Sequence, residues 1–215
     1  MNIGGVIETA SWKNLPDAIL LAWQAGQEGG NSVADILTGK VSPSGKLTMT
    51  FPNSYADHAS SDNFPTEGKM IAFDRNNADG VGNKQKQKNI DYACYAEDVY
   101  VGYRYFDSFD KAVSYPFGYG LSYTTFEYSD IKLSSSVITD QQPLTVTCKV
   151  KNTGKRAGDE VVQLYTRDLV SSVTTYEKNL RGFERVHLEP GEEKEVTFVL
   201  VPRDFQLVRR PKIFA

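Results

Sequence analysis

Cysteine, histidine, methionine and tryptophan are all scarce: the 215 residues hold 2 cysteines, 2 histidines, 3 methionines and 2 tryptophans. Cys94 and Cys148 lie far apart, and two such cysteines neither demand nor exclude a disulfide. His58 and His187 are separated from each other and lack cysteine or carboxylate companions at ligand spacing, so they read as surface or turn histidines and no metal site is expected. No run of about 18 apolar residues occurs, which excludes a spanning helix from the expectations. The N-terminus lacks a basic segment followed by an apolar stretch, so no signal peptide is expected in this chain either; an export signal would have to lie upstream. Positive charge is also short. A net charge of -3 and a pI near 5.5 leave no basic face to compete for phosphates, so neither nucleic acid nor membrane is an expected partner. Gly29 and Gly30 are not followed by Lys and Ser/Thr at the spacing a phosphate loop needs, and no G-x-S-x-G elbow is present. No cofactor is expected.

What the chain does have is tyrosine and phenylalanine, 12 and 11 of them, in a sequence that is 40% hydrophobic. That balance suits packed strands rather than disorder. The length allows two small domains with real cores, and the pattern changes near residue 121. Before it, Asn2 to Ile7 reads as the tail of a strand that enters a glycine turn with no earlier strand to pair against, so the start looks clipped. Ala18 to Trp23 is apolar throughout, as a buried parallel strand would be. From Gln27 to Leu37 the apolar positions Val33, Ile36 and Leu37 recur at helical spacing, Glu28 falls in the first turn, and Gly39 ends the helix. Leu47, Met49 and Phe51 alternate with Lys46, Thr48 and Thr50, predicting a strand that Pro52 stops. Residues 53–98 form a long polar stretch, read as a solvated loop. An aromatic strand is then expected over Tyr100 to Phe106, followed by a turn-rich link from Tyr115 to Tyr123.

After Phe126 every periodic segment has period two. Leu144, Val146, Cys148 and Val150 share one face; Asn152-Thr153-Gly154 turns the chain; Val162 and Leu164 mark another strand; Leu180 to Leu188 leads through Pro190-Gly191 into Val196, Phe198 and Leu200. Short alternating strands joined by Gly and Pro turns predict a β-sandwich. Few residues remain after Phe205 to complete it, so an unpaired edge and exposed apolar surface are expected there.

Three ordered motifs carry a family resemblance. They are Gly26-Gln27-Glu28-Gly29-Gly30-Asn31-Ser32-Val33-Ala34-Asp35-Ile36-Leu37 with Ser42-Pro43-Ser44-Gly45-Lys46-Leu47, then Val101-Gly102-Tyr103-Arg104-Tyr105-Phe106-Asp107, then Tyr115-Pro116-Phe117-Gly118-Tyr119-Gly120-Leu121-Ser122-Tyr123. Together they resemble the C-terminal portion of family 3 glycoside hydrolases of the β-glucosidase type. The later segments Val150-Lys151-Asn152-Thr153-Gly154, Gly158-Asp159-Glu160-Val161-Val162-Gln163-Leu164-Tyr165 and Leu180-Arg181-Gly182-Phe183 resemble the fibronectin type III-like domain that closes many of these enzymes. The resemblance implies an α/β plus all-β chain. A truncated α/β sandwich domain would cover residues 1–121, and an incomplete fibronectin III-like, immunoglobulin-like β-sandwich residues 122–215.

Retaining hydrolysis of a glycoside needs a nucleophilic carboxylate and an acid/base carboxyl about 5 to 5.5 Å apart. In the family the nucleophile is an Asp of an N-terminal barrel, and the acid/base of the β-glucosidase branch is a Glu on a segment before the region that Ile3 to Ile7 matches. Neither maps onto a position here. The resemblance therefore implies a C-terminal fragment, inactive alone, whose expected partners are the missing barrel domain and, in the intact enzyme, a β-linked oligosaccharide or aryl glycoside. Intact relatives are often secreted or periplasmic. The one rival for a catalytic role is Glu97, between the polar loop and the aromatic segment, where a carboxyl could line a sugar pocket; its plainer reading is a structural acid paired with Arg104 or a backbone amide. Glu28 reads as a helix-start charge rather than a pocket carboxylate. Tyr100, Tyr103, Tyr105, Trp12 and Trp23 could stack on sugar rings, though strand aromatics are more often core. The alternatives from other classes are a free-standing carbohydrate-binding or structural module, and a subunit complementing a barrel in trans.

Overall fold

The computed structural model describes residues 1–61, 66–67, 86–87, 95–139 and 141–205. In chain order they form α1 (Gly29–Leu37), β1 (Phe51–Pro52), β2 (Thr66–Glu67), β3 (Lys86–Gln87), α2 (Tyr103–Ser108), β4 (Val113–Tyr115), β5 (Phe126–Leu133), β6 (Leu144–Asn152), β7 (Gly158–Thr166), β8 (Asn179–Leu188) and β9 (Glu193–Leu200). An α/β part is followed by a β-sandwich, as the sequence predicts.

The sandwich follows from period-two patterning. β6 lies between β5 and β9 in one antiparallel sheet, and β7 pairs with β8 in the other. The inward positions meet as two apolar clusters, Val150, Val162, Leu188 and Val196 in one and Leu144, Val146 and Leu200 in the other. Burying each such side chain stabilises the fold by about 1.5–3 kcal/mol. Asn152 ends β6 fully buried, yet all its polar capacity is used. Its Oδ1 accepts from Thr124 Oγ1 at 2.6 Å and from the Gly154 amide at 3.0 Å, while its Nδ2 donates to the carbonyls of Arg156 at 2.8 Å and Leu188 at 3.0 Å. The sandwich is open on its flank: Ile131, Leu133, Phe183 and Val199 are exposed, as is Val201 close to the last described residues.

The α/β part departs from expectation in four places. Ile3 to Ile7 and Ala18 to Trp23 carry no ladder; the second is an irregular segment, half-buried from Ile19 on, whose Ala22 amide donates to the Met1 carbonyl at 2.9 Å. An apolar run supplies the side chains of a central strand, but no sheet among the described residues takes it up. Lys46 to Thr50 is likewise not a strand. Only Phe51 and Pro52 pair, with β4, and Pro52 joins the ladder instead of stopping it. Leu47 exchanges backbone bonds with Gly118 and Tyr119, both at 2.8 Å. Glycine is required at that approach: a Cβ on Gly120 would sit 2.3 Å from the Gly45 carbonyl oxygen, and Gly118 has φ +79°.

The third departure is Tyr100 to Phe106, which is not a strand. Gly102 adopts φ +57° and opens α2, so that Tyr103 and Phe106 fall at helical i, i+3 spacing rather than on opposite pleats. Phe106 becomes the buried residue of the helix, and Tyr103 stacks on Phe117 at 4.5 Å. Fourth, α1 begins at Gly29, so Glu28 occupies the N-cap rather than the first turn; its carboxylate accepts from Asn31 Nδ2 at 2.7 Å and makes no bond to the helix amides. Of the polar stretch 53–98, the described part contains a short 3-10 turn at Tyr55–Asp57 and the antiparallel pair β2 and β3; its remaining residues, Cys94 among them, lie outside the described residues.

Candidate functional site

The segment that sequence reasoning treated as a strand builds a cavity of about 250 Å³ once it is folded as a turn and helix. Its lining includes His58, Ser60, Glu97, Tyr100, Tyr105 and Phe106. Two chain regions separated by about forty residues are thus brought together by α2. Phe106 is held by its burial and presents its edge to His58, ring centroids 6.0 Å apart. Tyr100 packs edge-on against Phe109 at 4.9 Å, and Tyr105 lies against Phe109 at 5.2 Å. The Glu97 carbonyl accepts the Tyr100 amide at 2.9 Å, a tight turn that carries the carboxylate to the same side as the aromatic rings. Asp98, next in the chain, takes φ +52° in that turn. Burial holds the His58 imidazole below its ordinary pKa, against the opposing pull of Asp57, so the ring is neutral near neutral pH.

Of the site candidates singled out from sequence, the cavity collects Glu97, Tyr100 and Tyr105, and it adds His58, which was read as a plain surface or turn histidine. Tyr103 faces Phe117 and Tyr165 instead. Trp12 donates from its indole to the Glu8 carbonyl at 2.9 Å, Trp23 packs on Phe51, and Glu28 stays at the start of α1. Arg104, expected near Glu97, points to the sandwich, where its guanidinium lies 4.4 Å from the ring of Tyr176. His187 is exposed and bridges Asp159 at 2.5 Å and Glu189 at 3.4 Å. Cys148 is a half-buried thiol with its pKa raised, first by burial and then by Glu195. Among the described residues no group of three His, Cys, Asp or Glu side chains could hold a metal ion, and no helix is long and apolar enough to cross a membrane.

A second polar cluster was not singled out from sequence. Lys46 reaches from the α/β part to Glu160 of β7 at 3.0 Å, with only 16% and 10% of the two side chains exposed. Tyr128 donates its hydroxyl to the other Glu160 oxygen at 2.7 Å, and burial and that bond raise its pKa above the usual range. The available signal was phase: Glu160 shares its strand face with Val162, and a carboxylate at a core position requires a partner.

An α/β part closed by a fibronectin-like sandwich, with an aromatic cavity whose described lining holds neutral side chains and one carboxylate, defines the architectural class. The glycosyl hydrolase family 3 C-terminal domain model matches residues 1–123, and the fibronectin type III-like domain model matches residues 160–212. The chain belongs to glycosyl hydrolase family 3. It is 43% identical over 194 residues to thermostable beta-glucosidase B of Acetivibrio thermocellus, covering 90% of this chain and 23% of that protein. Against the beta-glucosidase of Kluyveromyces marxianus it is 40% identical over 206 residues, covering 95% and 21%. The structure of beta-glucosidase 3B from Thermotoga neapolitana in complex with glucose matches with a TM-score of 0.76 and 45% identity, over 94% of this chain and 25% of that one. The chain thus spans less than two thirds of the length of each of these relatives.

Proposed function

We propose that this chain serves as the C-terminal portion of a retaining β-glucosidase-type hydrolase, with domains at 1–121 and 122–215, and that both catalytic carboxylates are supplied from outside it. One observation carries the reading: among the described residues, Glu97 is the only carboxylate lining the aromatic cavity, whereas retention requires two about 5 to 5.5 Å apart. The names of the relatives, and the glucose bound by the Thermotoga neapolitana enzyme, support β-glucosides as the substrate class of the complete enzyme. The role of this portion is positioning. It holds its wall of the site steady against a barrel domain, where an error of about 1 Å can cost on the order of a hundredfold in rate.

The test is hydrolysis of a panel of aryl β-glycosides by the purified chain, beside Glu97→Gln. No turnover by either protein is expected. Turnover by the chain that disappears in Glu97→Gln would overturn the proposal and make Glu97 catalytic.

A further inference from the structure

We propose that the seam between α2 and β8 holds a binding site for one small tetrahedral dianion of the phosphate class, gripped by the guanidiniums of Arg104 and Arg181. Four neighbouring side chains carry it, independently of the proposed function: Arg104 of α2, Tyr176 of the segment joining β7 to β8, and Asn179 and Arg181 of β8. All four are half-buried, so packing fixes them while solvent still reaches them.

Both guanidiniums are held by their faces. Arg104 lies 4.4 Å from the centre of the Tyr176 ring. Arg181 brings Nε, Nη1 and Nη2 to 3.0, 3.3 and 2.9 Å from one end of the Asn179 amide. An atom that close to all three nitrogens sits over the guanidinium plane, whereas the N–H donors point outward within that plane and stay largely unused. Edge bonding is thin. Arg104 Nη2 reaches Asn179 Oδ1 at 3.4 Å, Arg181 Nε reaches Thr166 Oγ1 at 3.4 Å, and the buried Arg104 Nε has no acceptor among the described residues. A buried donor left without an acceptor is costly, most of all on a charged group.

Asn179 cannot satisfy both arginines. An amide carries its one oxygen at one end and its NH2 at the other. With the oxygen turned to Arg181 it also accepts from the Tyr176 hydroxyl at 3.2 Å, and its NH2 then faces Arg104. Turned the other way, the oxygen meets Arg104 and the NH2 faces the donors of Arg181 and Tyr176. Either way donor faces donor, and acceptor oxygens are what the cluster needs.

Charge points the same way. The flanking carboxylates are engaged with other cations, Asp107 with Lys178 at 3.1 Å and Glu177 with Arg167 at 2.7 Å. Guanidiniums bind phosphate oxygens through their edges, often two bonds at a time, which is the part of Arg104 and Arg181 left open. A dianion balances the two charges, and a monocarboxylate balances one.

The experiment is isothermal titration calorimetry of the full chain with sodium phosphate, at an ionic strength held constant with sodium chloride, beside sulfate and acetate. One saturable site is expected, with a dissociation constant on the order of 1 mM, within reach of a ligand of so few heavy atoms. Sulfate should bind within about tenfold of phosphate, and acetate about tenfold or more weakly. Arg181→Ala should weaken phosphate binding by about tenfold or more, the loss expected for charge-assisted bonds. Asn179→Asp keeps the shape of the amide and sets a carboxylate between the guanidiniums. It should abolish phosphate binding and raise the melting temperature, measured without phosphate, above that of the parent. Lys155→Ala, beyond the opposite end of β7, should bind within about twofold of the parent. Absence of a saturable site, acetate as tight as phosphate, an equal loss in Lys155→Ala, or parental binding by Asn179→Asp would each overturn the site. Asn179→Asp decides the matter even where Arg181→Ala unfolds.

Discussion

Glu160 shows how much one side chain can hold. It is nearly dry, salt-bridged to Lys46 and hydrogen-bonded by Tyr128, and removing one member of such a set strands the others. Glu160→Ala is expected to destabilise the chain by about 3 kcal/mol, because the largely buried Lys46 ammonium loses its counter-ion and keeps only its bond to the Gly120 carbonyl; a denaturant titration measures it. Glu160→Gln should cost less, since the amide still accepts from Tyr128. His187 works at the surface and through pH. Its bond to Asp159, then that to Glu189, raises its pKa above 6.5. For Asp159, burial opposes ionisation, but bonds from His187 and Arg185 outweigh it and lower the pKa below 3.8. A raised histidine contributes stability that is complete below the unfolded pKa and fades as pH rises through the folded one. The depressed carboxylate contributes above its unfolded pKa and loses that contribution as pH falls through the folded one. The stability gap between parent and His187→Ala should therefore narrow as pH rises from the ordinary histidine range through the raised folded pKa, where the imidazole loses its proton. A gap that widens over that range would contradict the assignment.

At the level of elements, the sandwich strands were legible and the α/β segments were not, for reasons visible in particular residues. Val146 and Val150 alternate with polar neighbours, and each is buried in the sandwich core, so period two was enough. Leu188→Ala should cost about 2–5 kcal/mol by urea denaturation, the amount expected for a fully buried leucine that leaves a cavity. Tyr103 and Tyr105 also alternate, but Gly102 turns left-handed ahead of them and Phe106 supplies the buried contact, so tertiary packing overrode the pattern. Of the cavity, Glu97 and the tyrosines were legible as candidates. His58 was not, because only the fold brings residue 58 to α2. Gly118 was legible as part of a motif without its reason, which is positional: besides its φ of +79°, a Cβ there would lie 2.5 Å from Gln163 Oε1. Gly118→Ala should destabilise the chain by at least about 1 kcal/mol, and a thermal melt checks this.

For the whole molecule, the junction between the α/β part and the sandwich is built from several separate ties. Besides Lys46 and Glu160, the Arg156 guanidinium donates to the Gly39 carbonyl at 2.8 Å, Gln163 donates to the Gly118 carbonyl at 3.2 Å, Ser42 and Ser122 share a hydrogen bond at 2.9 Å, and the Leu180 amide donates to the Tyr103 hydroxyl at 3.0 Å. Two parts joined this way should unfold as one cooperative unit. Calorimetry of the chain is expected to show one transition, and the double variant Glu160→Ala with Arg104→Ala to split it in two.

Those ties also have a mechanical meaning. Asn152 joins the end of β6, the end of β8 and, through Thr124, the segment entering β5, so a load applied across the junction reaches the sandwich sheets at a fixed point. Bonds lying side by side share a load, whereas bonds in series peel one after another. Stretched by its two ends, the molecule would resist as a brace and give way in one rupture, without first letting the sandwich swing free.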